Sequence, residues 1–322
     1  MKAIVQRSYG LPDVLALEEI EQPAVGDNQV LIRVHAVSLN AYDWHMLRGK
    51  PYLARLMSGL RKPKQLVPGV DISGTIEAVG ANVTDFKPGD EVFGPSNGGL
   101  AEYVAAGQSN YVRKPGSVTF EQAAAVPMAA TTALQALRDK GEIQSGHKVL
   151  IIGASGGVGT FAVQIAKALG AEVTAVCSTG NIDAAHSLGA DRVVDYTKED
   201  FAAGAERYDL IIYVAGNRSM SDCRRVLSPT GRLVAVGGDI GGNWVGPLLM
   251  VFKPLLASLF RRQKMATMLA KNSAADLSFV VELMEAGKVT PVIDRQYPLG
   301  EAADAFAYVG EGHARGKVVV TI

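Results

Sequence analysis

Apolar residues recur with two different periods along this chain, and the change of period divides it. Through about residue 122 the apolar positions come in short runs, most of them alternating with polar ones. Ala3-Ile4-Val5 is a short strand, and Gln29 to Val37 alternates as a half-buried strand does. Val70 to Val79 repeats the pattern through Ile72, Thr75, Ile76 and Val79, with Gly80 as a break. Phe86-Lys87-Pro88-Gly89-Asp90 reads as a turn, Glu91 to Gly94 as a strand, and Gly98 to Val104 as the entry to one more. Many short strands joined by Gly/Pro turns predict a small barrel-like β domain.

Near Thr119 the pattern changes. Glu121 to Ala125 and Thr131 to Arg138 are helix-forming, and from Lys148 onward strand-length apolar blocks alternate with helical spacing. Lys148 to Ile152, Glu172 to Cys177, Arg192 to Tyr196, Asp209 to Val214 and Arg232 to Val236 are five such blocks. Their rhythm is that of a parallel sheet wound with helices. Ser273 to Ala286 is an amphipathic helix stopped by Gly287. The chain ends in Val289 to Tyr297, a helix over Glu301 to Tyr308, and the β-like Lys317 to Ile322, read as returning to the first domain.

The chain is organised around residues 148–170. Four of the seven residues from Gly153 to Gly159 are glycine, so they are neither strand nor helix interior. After them Val158, Phe161, Ala162, Ile165 and Leu169 fall at helical spacing, and Gly170 is a stop signal. Strand, tight turn, helix is the phosphate-cradling unit of a dinucleotide-binding fold, here in the form A-x-G-x-x-G from Ala154 to Gly159. A pyrophosphate reaches a helix N-terminus only if the backbone comes close, and a side chain at Gly156 would block it. The bland alternative is a glycine-rich turn in an ordinary α/β protein.

Composition narrows the rest. A length of 322 residues favours two domains. Thirty-two Lys+Arg against 32 Asp+Glu give no net charge, so a basic patch tracking nucleic acid is not expected, and no basic run with interleaved aromatics is read. Two cysteines, Cys177 and Cys223, build neither a disulfide framework nor a four-cysteine zinc site, and a reducing, cytoplasmic setting fits them. The N-terminus has no apolar signal core, and no apolar run reaches the length of a membrane span.

The full-length pattern resembles the medium-chain dehydrogenase/reductase superfamily. The stretches that carry the resemblance are Pro68 to Gly74, Phe86 to Val92, Gly99 to Tyr103, Ala154 to Gly159 and Ser187 to Asp191. Within it, Leu39 to Trp44 and Gly312 to Lys317 are similar to the zinc-free quinone oxidoreductases, among them plant chloroplast-envelope homologues and oxoene reductases. The resemblance implies an α/β protein with a GroES-like β domain over 1–122 and 290–322 and a Rossmann NADP-binding domain over 123–289. It also implies a homodimer. The superfamily's zinc dehydrogenases carry Cys where this chain has Asn40 and His where it has Val70, and Val70 cannot ligate zinc. No metal site is expected, and the five histidines show no paired-ligand spacing.

What remains is hydride transfer from NADPH to a quinone or an α,β-unsaturated carbonyl. Asn40, Asp43, His45 and Tyr52 are the candidate catalytic groups: Asn40 as amide donor, His45 or Tyr52 as proton donor. Asn40 and Asp43 read equally well as caps of a helix over residues 41–48, and His45 as a surface helix residue. His45 departs from the Tyr or Lys usual in the family. The resemblance places Thr132 near the nicotinamide and counts Lys317 among the cofactor contacts. Ser155, Gly156, Gly157, Val158 and Gly159 would hold the pyrophosphate, with Ala215, Gly216, Gly237 and Gly238 at the ends of later strands. Strand two ends in Ser178-Thr179-Gly180-Asn181, with no carboxylate to repel a 2′-phosphate. Ser178, Thr179 and Asn181 are therefore read as NADPH contacts, and the resemblance implies Tyr196 as a further one. Trp244 to Lys271 is strongly apolar and then basic. It reads as a pocket wall or dimer contact, or as a peripheral membrane contact through 244–264. Two alternatives stay open: a strict enone C=C reductase, and an NADPH-binding protein without turnover.

Overall fold

The computed structural model describes residues 1–216, 218–236 and 262–322. Asn217, Gly237, Gly238 and the apolar stretch from Trp244 to Phe260 lie outside the described residues. In chain order the strands begin with β1 (Lys2–Gln6), β2 (Leu15–Glu19), β3 (Gln29–Leu39), β4 (Asp71–Val79), β5 (Glu91–Pro95), β6 (Tyr103–Gly107) and β7 (Val112–Arg113). They continue with β8 (Lys148–Ile152), β9 (Glu172–Cys177), β10 (Arg192–Asp195), β11 (Tyr208–Tyr213), β12 (Leu227–Val236), β13 (Lys264–Met268), β14 (Ile293–Pro298) and β15 (Lys317–Thr321). The helices are α1 (Ala41–Arg48), α2 (Arg55–Ser58), α3 (Phe120–Ala124), α4 (Pro127–Gln135), α5 (Gly157–Ala168), α6 (Ile182–Ser187), α7 (Met220–Arg225), α8 (Ala274–Glu285) and α9 (Ala302–Gly310).

Two compact units form. The first comprises Met1–Ala129, Asn272–Glu285 and Pro291–Ile322, and the second Ala130–Lys271 with Ala286–Thr290. The first unit is built on a seven-stranded sheet in the order β14-β15-β3-β4-β5-β7, with β6 also paired to β3. The C-terminal strand β15 runs antiparallel to β3, Val318 opposite Leu39 and Val320 opposite Val37. That pairing returns the chain end to the first unit. Its apolar positions join Ile32, Val34, Ile72, Ile76 and the buried ring of Phe306 from α9 in one core. β2 was not legible as a strand: Leu15–Glu19 is largely solvated and pairs only with β1.

The second unit holds a parallel six-stranded sheet in the order β10-β9-β8-β11-β12-β13. In strand sequence that is 3-2-1-4-5-6, the doubly wound Rossmann order, with its switch point between β8 and β11. β8 and β9 are apolar almost throughout because both faces are covered. The sequence pattern predicts five strands, and the structure adds β13 at the edge, within the 244–271 stretch that reads as apolar and then basic. No helix among the described residues is long and apolar enough to cross a membrane.

Candidate active site

In the first unit the polar candidates converge where β3 gives way to α1. Asn40 is extended (φ −125°, ψ 163°), as a helix N-cap is, and its N–H donates to Asp43 Oδ2 at 2.9 Å. The same side chains enter a wider cluster. Asn40 Nδ2 donates to Asp71 Oδ2 at 3.0 Å and lies 3.4 Å from both Asp43 Oδ2 and Ser38 O. Asn40 Oδ1 accepts from Lys317 Nζ, which also donates to Leu39 O at 2.9 Å. Asp71 Oδ2 accepts in addition from the Met128 N–H, in the first turn of α4, at 3.0 Å. Strand register assembles the group: Asp71 opens β4 opposite Ser38, and Lys317 opens β15 one residue before the Val318–Leu39 pair.

Asn40, Asp43, Asp71 and Lys317 are all buried. Burial pushes the Asp43 carboxyl up to about 7, against the hydrogen bond from the Asn40 N–H. Burial pushes Asp71 up to about 6, and the Lys317 ammonium holds it back from going further. Burial pushes Lys317 down from the ordinary lysine value. The cluster is held by hydrogen bonds centred on Asn40, every amide hydrogen of which faces a protein acceptor, while Asp71 Oδ1 has no hydrogen-bond partner among the described residues. Lys317, counted by resemblance among the cofactor contacts, has its ammonium on Leu39 and Asn40 in the first unit. Asp71 was not singled out. The signal was a lone carboxylate among apolar strand residues, which needs an internal partner.

His45 is half-buried on α1, one residue past Trp44. Tyr52 is half-buried in the turn after α1, its ring beneath Arg55 at 4.9 Å and Lys50 at 5.9 Å. Among the described residues no three His, Cys, Asp or Glu side chains are grouped to hold a metal ion. Asp43 Oδ2 and Asp71 Oδ2 already accept from Asn40, which the Lys317 ammonium holds in turn, and Val70 offers no donor. A catalytic zinc, which needs three N, S or O ligands from the protein, does not fit these residues. Cys177 and Cys223 are buried and unbridged, with burial pushing their thiols up to about 11 and about 12. Neither thiol is set up as a nucleophile.

In the second unit β8 ends at Ile152, and Gly153 turns the chain at φ +85°. A Cβ on Gly153 would stand 2.8 Å from Ala215 N, so the loops after β8 and β11 touch at the switch point. Ala215 and Gly216 are exposed there. Gly156 caps α5 in an extended conformation, and no side chain satisfies the helix end. The N–H groups of Gly157, Val158 and Gly159 belong to the first turn and have no intrahelical acceptor. Ser155 is half-buried beside them. A Cβ on Gly159 would meet Gly153 O at 2.1 Å, so only glycine lets α5 lie against the β8 turn. A Cβ on Gly156 would meet only Gly153 O, at 3.7 Å, and would otherwise project into open space. A dinucleotide's pyrophosphate fits this cradle: bare N–H groups, the positive helix end and room over Gly156. Thr132 is buried in α4.

The end of β9 differs from its sequence reading. Parallel pairing sets Asp195 beside Cys177, and Asp195 Oδ2 accepts from the Thr179 hydroxyl at 2.6 Å. A carboxylate is thus present, supplied by β10, which no count along β9 could reveal. The Thr179 and Thr197 hydroxyls hold it down at about 2. Lys198 Nζ stands 3.6 Å from Asp195 Oδ2. Thr179 has therefore spent its proton on Asp195. Ser178 Oγ accepts from Asn181 Nδ2 at 3.0 Å, which leaves the Ser178 hydroxyl hydrogen available. Tyr196 is exposed beside it.

Each of the two units generates one expectation. Gly156→Ala leaves unfolding free energy within about 0.5 kcal/mol of the parent but weakens dinucleotide binding about tenfold or more, whereas Gly159→Ala lowers stability itself. Chemical unfolding and a cofactor titration separate the two; equal behaviour would contradict the geometry. The raised carboxyls of Asp43 and Asp71 contribute stability that is full below about pH 4 and is lost as pH rises through about 6 to 7. Lys317→Met strands both carboxylates, so it costs about 3–5 kcal/mol near pH 8 and less near pH 5, where they take up protons. Urea unfolding of parent and variant at both pH values measures this; a loss independent of pH would contradict it.

Family models match most of the chain: an alcohol dehydrogenase GroES-like domain over residues 26–136 and a zinc-binding dehydrogenase over residues 188–320. The chloroplast envelope quinone oxidoreductase homolog of Arabidopsis thaliana is 34% identical over 337 residues, covering 99% of this chain and 98% of that protein. The chloroplastic NADPH-dependent alkenal/one oxidoreductase of the same plant is 34% identical, covering 99% of this chain and 79% of that protein. The structure of the quinone oxidoreductase from Coxiella burnetii superposes with a TM-score of 0.86 at 32% identity, covering 100% of this chain and 99% of that one. With these likenesses over its whole length, a GroES-like unit and a doubly wound parallel sheet, the chain belongs to the medium-chain dehydrogenase/reductase superfamily of oxidoreductases, which use a nicotinamide cofactor.

Proposed function

We propose that the chain is a zinc-independent, NADPH-dependent reductase of quinones or α,β-unsaturated carbonyl compounds. One observation carries the reading: Val70 offers no donor, and the buried Asn40, Asp43 and Asp71 hydrogen-bond one another with the Lys317 ammonium on Asn40. Electrophilic help is then limited to hydrogen bonds. That suits acceptors in which charge develops on an oxygen remote from the attacked carbon, or spreads over a ring. The quinone and alkenal/one oxidoreductases among the relatives support the same acceptor class.

When bound, the reduced nicotinamide supplies the hydride. The chain's own residues bind, orient and deliver protons. The N–H groups of Gly157, Val158 and Gly159 take the pyrophosphate, Thr132 lies in the helix assigned to the nicotinamide, and Ser178 and Tyr196 present hydroxyls to a 2′-phosphate. Asn40 and Asp43 position the start of α1, and His45 on that helix and Tyr52 beyond it are the proton donors. Two unbridged cysteines support a reducing, cytoplasmic setting.

The Asp195 carboxylate favours a second reading, NADH as the cofactor, because an anion at the end of β9 and β10 opposes a 2′-phosphate. Lys198 offsets it on this side of the balance. Steady-state oxidation of NADPH and NADH by a panel of quinones and enones decides. The expected kcat/KM ratio favours NADPH by about tenfold or more, and Ser178→Ala and Tyr196→Phe each narrow it severalfold through KM. A preference for NADH selects the second reading. Turnover confined to enones selects the narrower reductase, and tight NADPH binding without turnover of any acceptor overturns the enzymatic reading.

A further inference from the structure

The zero net charge of the whole chain conceals a local excess. Residues 44–70 contain six cations, Arg48, Lys50, Arg55, Arg61, Lys62 and Lys64, and no aspartate or glutamate. The same stretch exposes Leu53, Leu56, Leu60 and Leu66, four of the nine large apolar side chains exposed among the described residues. A cationic face alone is common, and single exposed leucines need no explanation. Their coincidence in one segment of the first unit is what calls for a partner.

The leucines are not exposed for want of order, because polar contacts that do not use their side chains shape the segment. The Tyr9 hydroxyl donates to Gly59 O at 2.7 Å and lies 2.9 Å from Ser58 Oγ. The Gln6 N–H donates to Leu66 O at 2.7 Å. Arg55 is stacked over the rings of Tyr9 at 4.4 Å and Tyr52 at 4.9 Å, and its Nε donates to Gly49 O at 2.8 Å. The Lys64 N–H donates to Ser58 O at 2.8 Å, closing a turn that begins at Gly59 with φ +119°. A side chain on Gly59 would strike Lys62 O. At the head of that turn Leu60 is 67% exposed, with Arg61 and Lys62 exposed beside it, while Pro63 is buried. Leu56 is 63% exposed on α2, one turn before.

An ordered turn that offers leucines and cations together, with no acid among them, has the chemistry of a bilayer interface. There the apolar groups enter the acyl boundary and the cations meet headgroup phosphates. A nucleic acid would use the cations and leave the leucines in water. We propose that residues 53–66 form a docking surface for an anionic phospholipid bilayer, with Leu56 and Leu60 entering the interface and Arg61, Lys62 and Lys64 on the phosphates. The surface lies outside the residues assigned to cofactor or acceptor, so it stands whether or not the quinone and enone reading holds.

Co-sedimentation of the full chain with vesicles tests it, comparing pure phosphatidylcholine with phosphatidylcholine containing about one third phosphatidylglycerol. Binding to the anionic vesicles alone is expected, weakened by salt. The triple variant Arg61→Glu, Lys62→Glu, Lys64→Glu should lower partitioning on the order of 100-fold. The double variant Leu56→Ser, Leu60→Ser should lower it roughly tenfold. Thermal melting and NADPH turnover of both variants, expected to match the parent, separate lost docking from lost folding. Absence of binding to anionic vesicles overturns the proposal, as does equal binding by the leucine variant. Binding of single-stranded RNA by parent and leucine variant alike, without vesicle binding, also overturns it and assigns the cations to a nucleic acid.

Discussion

The hydrogen bonds of the buried Lys317 ammonium set the terms for the first unit. The lysine arrives on the last strand of the chain and closes a group whose other members come from the end of β3, the start of α1 and the start of β4. Through Asp71 the group reaches the first turn of α4. An ammonium or a carboxylate buried alone costs several kcal/mol, so none of these residues is tolerable without the others. The return of the C-terminus to the first sheet is therefore more than added β pairing. It delivers a cation whose charge favours the ionised forms of Asp43 and Asp71, and it holds the amide oxygen of Asn40.

The second unit offers an anion backbone N–H groups rather than side chains. Its sheet order places the ends of β8 and β11 together, and glycines at 153 and 159 let the turn and α5 close on each other. What is left open is a ring of unpaired N–H groups at a helix end, suited to an anion whatever the rest of the molecule carries. In the proposed reading, discrimination between cofactors falls to a few side chains at the neighbouring strand ends, where Asp195, Thr179, Ser178 and Lys198 pull in different directions.

Most of this architecture was legible because the burial patterns are strong. Blocks such as Val149 to Ile152 announce strands covered on both faces, and the glycine spacing from 153 to 159 announces the turn between strand and helix. β2 escaped because its solvated residues leave no apolar period to read. β13 escaped because its five residues, Lys264 to Met268, follow the basic run after the apolar stretch and are too short to show a period. The site was half legible. Asn40 and Asp43 stand three residues apart, and local spacing suggested a cap, which the structure contains. Their links to Asp71 and Lys317 depend on strand register across distant parts of the chain, as does the approach of Asp195 to Thr179. Periodicity carries no information about such pairings.

The most direct test of the central claim is the metal content of the active enzyme, measured by mass spectrometry on the same preparation whose NADPH-dependent turnover is followed. With Val70 offering no donor and Asn40 tied to Asp43, Asp71 and Lys317, full turnover is expected at a zinc content far below one per chain, unchanged after dialysis against a chelator. Stoichiometric zinc, with turnover lost on its removal and restored on its return, would contradict the assignment of that cluster.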